Sequence, residues 1–418
     1  MTQSFTYSPH PALMAGQHVP RGSRVRLGTI EGDLDVEKNV HIDVDGLLKV
    51  LGRASFAGDA EIAGNVECAS LRADHADLLI HGSLAVAEDL EGERSSIRVD
   101  GTFRARDVDV DKQLVVRGPA TGERFEIGGL LDCGETLTAR RVSVGGRVVV
   151  RGALKAEKLD VGGMAELATV ELDELAIGGR ISLQGGEIRR SITVGGTIDA
   201  TGPLTFGSLD VGGKARLGAP SKGGDIDIGG VFRTDGDLHF ARLEIGGVGS
   251  IHGNGTGQLV EVGGKLDVSR SLEVQDSVKI GGMLEVGERL AAARLEVGGA
   301  VRALRGIISG EVEVGGSVGT TEGLKGRRIR VGRKTKARGA LVGDRVILEA
   351  DAEAEEIYAG SVELGRDAHA TRIFAEEVVL ERGATADEVQ YTRSFGEQTP
   401  GSVRGSVQKV DHLPTFPL

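Results

Sequence analysis

Apolar residues recur along this chain in pairs two positions apart, and the pairs return with a period near 17. In the stretch GMLEVGERLAAARLEV, residues 282–297, the pairs are Leu284 and Val286, Leu290 and Ala292, and Leu295 and Val297. A spacing of two puts both members on one side of a β-strand and would scatter them round a helix. Three short strands separated by corners predict one coil of a single-stranded, three-sided parallel β-helix, a β-solenoid whose coils take up roughly 17–18 residues each. An odd repeat cannot hold one alternation round a whole turn, so it needs a phase break, which falls here between Ala292 and Leu295. The even unit 264–281 needs none: Leu266, Val268, Leu272, Val274, Val278 and Ile280 keep one parity.

Glycine marks the corners. A series of Gly-Gly pairs begins at Gly128, Gly145, Gly162, Gly178, Gly195, Gly212, Gly229, Gly246, Gly263, Gly281, Gly298 and Gly315, each after Val or Ile, and nine of the eleven intervals are 17. The second Gly of each pair falls on the inward series, where a side chain would strike its neighbour, and Gly accepts tight or left-handed backbone at little cost. Upstream, single glycines at 46, 64, 82, 101 and 118 read as the same corner; downstream it continues through VGR at 331, ILE at 347, LGR at 364 and LER at 380. Gly101 and Gly128 are 27 apart, neither one coil nor two, which predicts a register break near 119–127. The solenoid is thus expected over 24–392, about 22 coils stacked at about 4.8 Å. A flexible N-terminal tail (1–23) and a C-terminal tail or cap (393–418) carry Pro9, Pro11, Pro20, Pro400, Pro414 and Pro417, which oppose sheet pairing. Each coil turns in about six apolar side chains, worth roughly 1.5–3 kcal/mol apiece for the larger ones before ordering entropy, so no coil stands alone.

Composition sharpens this picture. A chain of 418 residues would ordinarily form two or three domains, a limit that a linear repeat escapes. Gly numbers 66 against 9 Pro, so it is periodic punctuation rather than linker. A net charge of −12 with few aromatics argues against nucleic acid, which needs basic stripes and stacking platforms. Cys68 and Cys133 make no disulfide framework and fit a reducing compartment. The first residues show no basic start followed by an apolar run, and no apolar segment is long enough to cross a bilayer, so neither a signal peptide nor a spanning helix is predicted.

Candidate chemistry is sparse. Outward acidic positions recur just before the corner, at Glu126, Asp160, Asp210, Asp227, Glu244, Glu261, Glu296 and Glu313, and read as a solvated face or an acidic stripe. Arg327, Arg328, Arg330, Arg333, Lys334 and Lys336 interrupt it, a patch suited to anionic lipid or an acidic partner. Cys68, His75 and His81 have no zinc-like spacing, and His369 is the one candidate for a solenoid acyltransferase. The positions a calcium-binding β-roll would fill with aspartate are apolar, as at Leu284 and Val286 after the Gly281 corner, and no phosphate loop occurs. No catalytic, cofactor-binding or metal residue is predicted, and the chain reads as no enzyme.

The stretches GTIEGDLDVEKNVHI (28–42), AGDAEIAGNVECASL (57–71) and VELGRDAHATRIFAEEVVLERGATADEV (362–389) resemble the bactofilin family of polymer-forming cytoskeletal proteins. The resemblance implies a right-handed β-helix with an apolar interior, no bound nucleotide, and end-to-end assembly into nonpolar filaments. It also implies a scaffold role in the cytoplasm, often beside the membrane. Strand logic agrees, because a terminal coil leaves a row of N–H and C=O groups without a neighbour. Leu27, Ile30 and Leu34 at one end, and Val378, Val379 and Val389 at the other, are the candidate polymer ends. The expected partner is therefore the chain itself, then a membrane surface or another cytoskeletal protein, and no nucleic acid. A monomeric rod that displays its charged faces to a partner is the alternative, and a solenoid acyltransferase the third reading.

Overall fold

In the computed structural model, which describes residues 16–416, the chain is all-β, a parallel β-solenoid of about 23 turns with about 17 residues per turn and no helix among the described residues. Residues 1–15 of the expected N-terminal tail lie outside the described residues. The chain divides into two compact units, Met1–Gly207 and Ser208–Leu418.

One coil of the first unit shows the plan. Leu137–Thr138 forms a first face, Arg141–Val144 a second, and residues 147–150, the start of the strand Arg147–Val161, a third. The next coil repeats it, with Leu137 beside Leu154, Val142 beside Leu159 and Val148 beside Ala165, all parallel and each 17 apart. Val142, Val144, Val148, Val150 and Leu154 point inward and are buried, while the residues between them face out. Every inward pair thereby rests on the pairs above and below, which is how coils too small to bury a core alone obtain one.

The second unit follows the same plan through Leu238–His239, Arg242–Ile245 and Val248–Ile251. Leu266, Val268, Leu272, Val274, Val278 and Ile280 are all buried, and the break between Ala292 and Leu295 leaves both inward.

The glycine pairs form the corner between the second and third faces, and of the two reasons expected for them the steric one holds and the left-handed backbone does not. None of them has a left-handed φ. They are needed because the coils approach closely: a Cβ built on Gly145, Gly146, Gly263 or Gly264 would lie inside 3.0 Å of the carbonyl oxygen of the glycine one coil below.

The expected register break does not exist. Phe103 pairs with Ala120, Val108 with Phe125 and Leu114 with Leu131, all 17 apart. The upstream single glycines belong to a different corner, between the third and first faces, where Gly118 stacks on Gly101 and Gly101 on Gly82. Gly128 instead stacks on Asp111. Counting from Gly101 to Gly128 measured from one corner to another.

The solenoid also outruns its expected limits. Gln17–Val19 pairs with Leu34–Val36, so residues 17–19 belong to the first coil. At the other end the strand Thr385–Glu397 is followed by Val403–Lys409, which pairs with it in parallel. In the last coils the corner between second and third faces changes from a glycine pair to a longer turn with one left-handed residue, in turn Lys334, Asp351, Asp367 and Gly383.

Candidate functional site

The two ends differ. In the first coil Val19, Leu27 and Ile30 are only 1, 7 and 4 % exposed. Leu34 is not terminal, because Gln17 pairs above it. At the C-terminal end Val378 pairs with Phe395 and Val389 with Val407, so both candidates lie one coil in, and Val379 points outward from the second face. The last coil is built from residues 394–397 and Val403–Lys409. No strand of the described residues pairs beyond it, and Val407 is 43 % exposed, with Phe395 and Val403 half-buried. Among the described residues, the segment that follows does not cross this opening. Val410 donates its N–H to the Tyr391 carbonyl (2.9 Å), and Phe416 packs 4.9 Å from Tyr358, which stacks on Phe374 at 4.8 Å. The outward ladder of the first face runs Tyr358, Phe374, Gln390, Gln408, so the terminal segment turns back along that face and leaves the end open.

The flanks are charged, and largely compensated from coil to coil. Arg106 reaches Asp89 (2.9 Å), Arg140 reaches Glu157 (3.1 Å) and Arg189 reaches Asp173 (3.0 Å) in the first unit. Arg302–Glu285 (3.1 Å) and Arg345–Glu363 (2.9 Å) do the same in the second. The expected acidic stripe is present on the second face: Asp210, Asp227, Glu244 and Glu261 stand in register on successive coils, as do Glu296 and Glu313. Lys279 separates the two groups, and Arg242 bridges Glu244 (2.9 Å) and Glu261 (3.4 Å). In the first unit Glu126 and Asp160 share this face with Ser143 between them. Burial and the neighbouring Glu126 charge raise the Asp109 carboxyl.

The basic run is not one cationic surface. Arg328 pairs with Glu311 (3.1 Å), Lys336 with Glu353 (2.8 Å), Arg330 lies 3.8 Å from both Glu313 and Glu349, and Arg333 lies 3.8 Å from Glu349. Arg327 and Lys334 have no ion pair among the described residues, and they sit on different corners.

Cys68, His75 and His81 are not brought together as a site. Cys68 faces the core and burial pushes its thiol up to about 12, His75 occupies an exposed left-handed turn, and His81 lies in the exposed bend just after the third-face strand Asp77–Ile80. His369 lies 3.0 Å from the Thr385 hydroxyl and 3.7 Å from Asp387, on an ordinary coil flank. Sequence reasoning missed a ladder on the third face of the first unit. It runs from Arg24 through Asp43, His41, Glu61 and His81 to Asp100, with spacings of 2.9, 3.2, 3.2, 2.7 and 3.1 Å, and Arg117 (3.1 Å) and Arg98 (3.5 Å) close it. Hydrogen bonds to Glu61 and Asp100 raise the pKa of His81. Those from His81 and His41 lower Glu61, and the Arg24 bond holds Asp43 down at about 2. Asp100 is pushed up by burial, but His81, Arg117 and Arg98 outweigh this and leave it lowered. The signal was hidden because early coils vary in length and one contact runs diagonally: His41 stands beside Glu61, 20 on, but Glu61 stands beside Leu79, 18 on, and His81 reaches it from two residues further along.

Compared with known proteins, the chain matches no family model, no curated protein and no solved structure.

Proposed function

We propose that this protein is a structural, self-assembling β-solenoid, a bactofilin-like cytoskeletal or scaffold element of the cytoplasm that associates end to end through its terminal coils without nucleotide. The observation that carries this reading is the open C-terminal coil: a row of strand groups without a neighbour among the described residues, half-exposed Val407, and a terminal segment that turns aside along a flank. Such an edge accepts another strand. Two C-terminal coils meeting each other make an isologous contact, and continuation into a nonpolar filament requires the first coil as well. Because Val19, Leu27 and Ile30 are better covered, C-terminal pairing precedes filament growth. Stacked acidic residues on the second face oppose sideways association of like surfaces.

Sedimentation velocity and negative-stain microscopy of the full chain across a concentration series test this. The parent is expected to give pairs and then longer end-to-end particles, unaffected by chelator. Val407→Glu, which charges the open end at an exposed site, is expected to return it to the monomer. A parent that stays monomeric at every concentration would favour a binding rod instead, and assembly undisturbed by Val407→Glu would move the contact elsewhere.

A further inference from the structure

The third face of the second unit carries a cleft of about 930 Å³, and its origin is a change in corner design. Up to Gly316 the second face passes into the third through a glycine pair. In the next coil Gly332 is followed by Arg333, Lys334 and Thr335, and the turn swells: Val314 pairs with Val331, 17 on, but Val318 with Ala337, 19 on. The opposite corner swells too, since Ala303 pairs with Thr320, 17 on, but Arg305 with Gly323, 18 on. Between these corners the outward ladder of the third face reads Asp267, Glu285, Arg302, Gly319, Arg338. Gly319 is a missing rung, and the cleft opens over it.

The charges around this gap are unevenly satisfied. Among the cleft's cations, Arg302 is held by Glu285 and Lys336 by Glu353. Lys334 and Arg338 also line it, and neither has a carboxylate partner among the described residues. Lys334 is further held at φ 57°, a region that Asp351, Asp367 and Gly383 occupy in the following coils and that a long side chain rarely adopts. Four rungs from Arg338, Asp267 presents an acceptor with the Ser269 hydroxyl beside it, Ser317 adds a hydroxyl at the corner one coil before Lys334, and the walls mix polar groups with apolar ones such as exposed Leu304.

We propose that this cleft binds an acidic, polyhydroxylated ligand, a phosphate or carboxylate carried on a sugar or glycerol unit, with its anion on Lys334 and Arg338 and its hydroxyls on Asp267, Ser269 and Ser317. Two sources supply that chemistry: a soluble acidic oligosaccharide, or the headgroup of an anionic phospholipid. With a net charge of −12 the chain as a whole repels anions, so any anion binding should be local to such a site. Assembly at the terminal coil neither requires nor excludes it.

The test uses the full chain and two probes. Calorimetric titration with trigalacturonate, against the neutral trisaccharide maltotriose, reads the soluble source. Co-sedimentation with phosphatidylglycerol vesicles, against phosphatidylcholine vesicles, reads the lipid source. Binding in at least one acidic arm, weakened by salt, is expected. Lys334→Gln with Arg338→Gln should weaken it about tenfold or more, since each removes a charge-assisted hydrogen bond. Gly319→Phe should block it by replacing the missing rung, for the nearest atoms to a Cβ there are 3.9 Å away and φ is not left-handed. Arg327→Gln, a charge loss at a corner outside the cleft, should leave it unchanged. The proposal is overturned if neither acidic probe binds, if the cleft variants bind as the parent does, or if Arg327→Gln weakens binding as much as they do. Should Gly319→Phe fail to fold, the Lys334 and Arg338 variant decides.

Discussion

Replacing Gly264 by Ala adds one methyl group at the place where two coils come closest. Its Cβ would lie inside 3.0 Å of the Gly247 carbonyl oxygen and 3.2 Å from the carbonyl carbon, whereas ordinary contact begins at 3.4 Å. That oxygen accepts the Lys265 N–H at 3.3 Å, so the displacement that admits the methyl also strains this bond. Overpacking of this kind costs about 1–3 kcal/mol, and a lost backbone hydrogen bond about 0.5–1.5 kcal/mol. Against this, Ala restricts the unfolded chain and returns about 0.4–1 kcal/mol. The net expectation is a local loss of about 1–3 kcal/mol, or one to two powers of ten in an opening equilibrium. Gly28 is the matched control, since neither glycine has a left-handed φ and nothing lies within 4 Å of a Cβ built on Gly28. Gly28→Ala should be neutral or slightly stabilising. Because stacked coils need not unfold as one, native-state hydrogen exchange is the suitable assay, read at the amides of Gly263, Lys265 and Gly282, which bond across coils at 2.8, 3.3 and 3.1 Å. Protection at these amides that is unchanged or increased in Gly264→Ala would refute close approach as the reason for the glycine corner.

Two further outcomes follow from the flanks and the core. Val378 is 1 % exposed and Val379 48 %, so Val378→Glu should bury an unpaired charge and cost several kcal/mol (on the order of 3 or more), while Val379→Glu should leave thermal melting nearly unchanged; equal effects would break the inward assignment. Raising the pH should loosen the early coils of the first unit: the His81 contribution is complete below its ordinary value of 6.5 and is lost as pH climbs through its raised folded value. Asp43, Glu61 and Asp100 are lowered, so theirs is present above the ordinary 3.8–4.5 and fades as pH falls through the folded values. Exchange protection in the early coils should therefore peak at about pH 5–6. An alkaline limb identical in His81→Gln would remove His81 from the account.

The fold was legible because solenoid packing writes itself into spacing. Leu272 and Val274, or Leu290 and Ala292, are two apart because each pair lies on one strand, and the parity break appears where an odd coil must place it. Which corner a glycine occupies was not legible. Gly101 and Gly128 both sit where coils crowd, and only the continuing apolar column Val108, Phe125, Val142 at intervals of 17 distinguishes the two corners. Compensation within the basic run lay in the same arithmetic, since Glu311 precedes Arg328, and Lys336 precedes Glu353, by 17. The ends were misplaced because Gln17–Val19 and Val403–Lys409 lack the regular apolar pairs of the interior, and join the sheet through backbone groups that leave little trace in side-chain pattern. The cleft had no trace either, since Gly319 looks like any other glycine until its neighbours in the ladder are known to be Arg302 and Arg338.

Neighbouring coils here differ in length and still match. Val161 rests beside Ile177, 16 on, Val260 beside Val278, 18 on, and most others 17, with the odd residue taken up at a corner. A single-residue insertion or deletion therefore has two fates. At a corner it is absorbed within one turn, and the inward columns continue undisturbed. Inside a face it turns a strand over and puts charge into the core. Lineages of such a gene should drift in coil length at their corners while their strands stay fixed, so a tally of inherited gaps would trace the edges of the solenoid without any structure at hand.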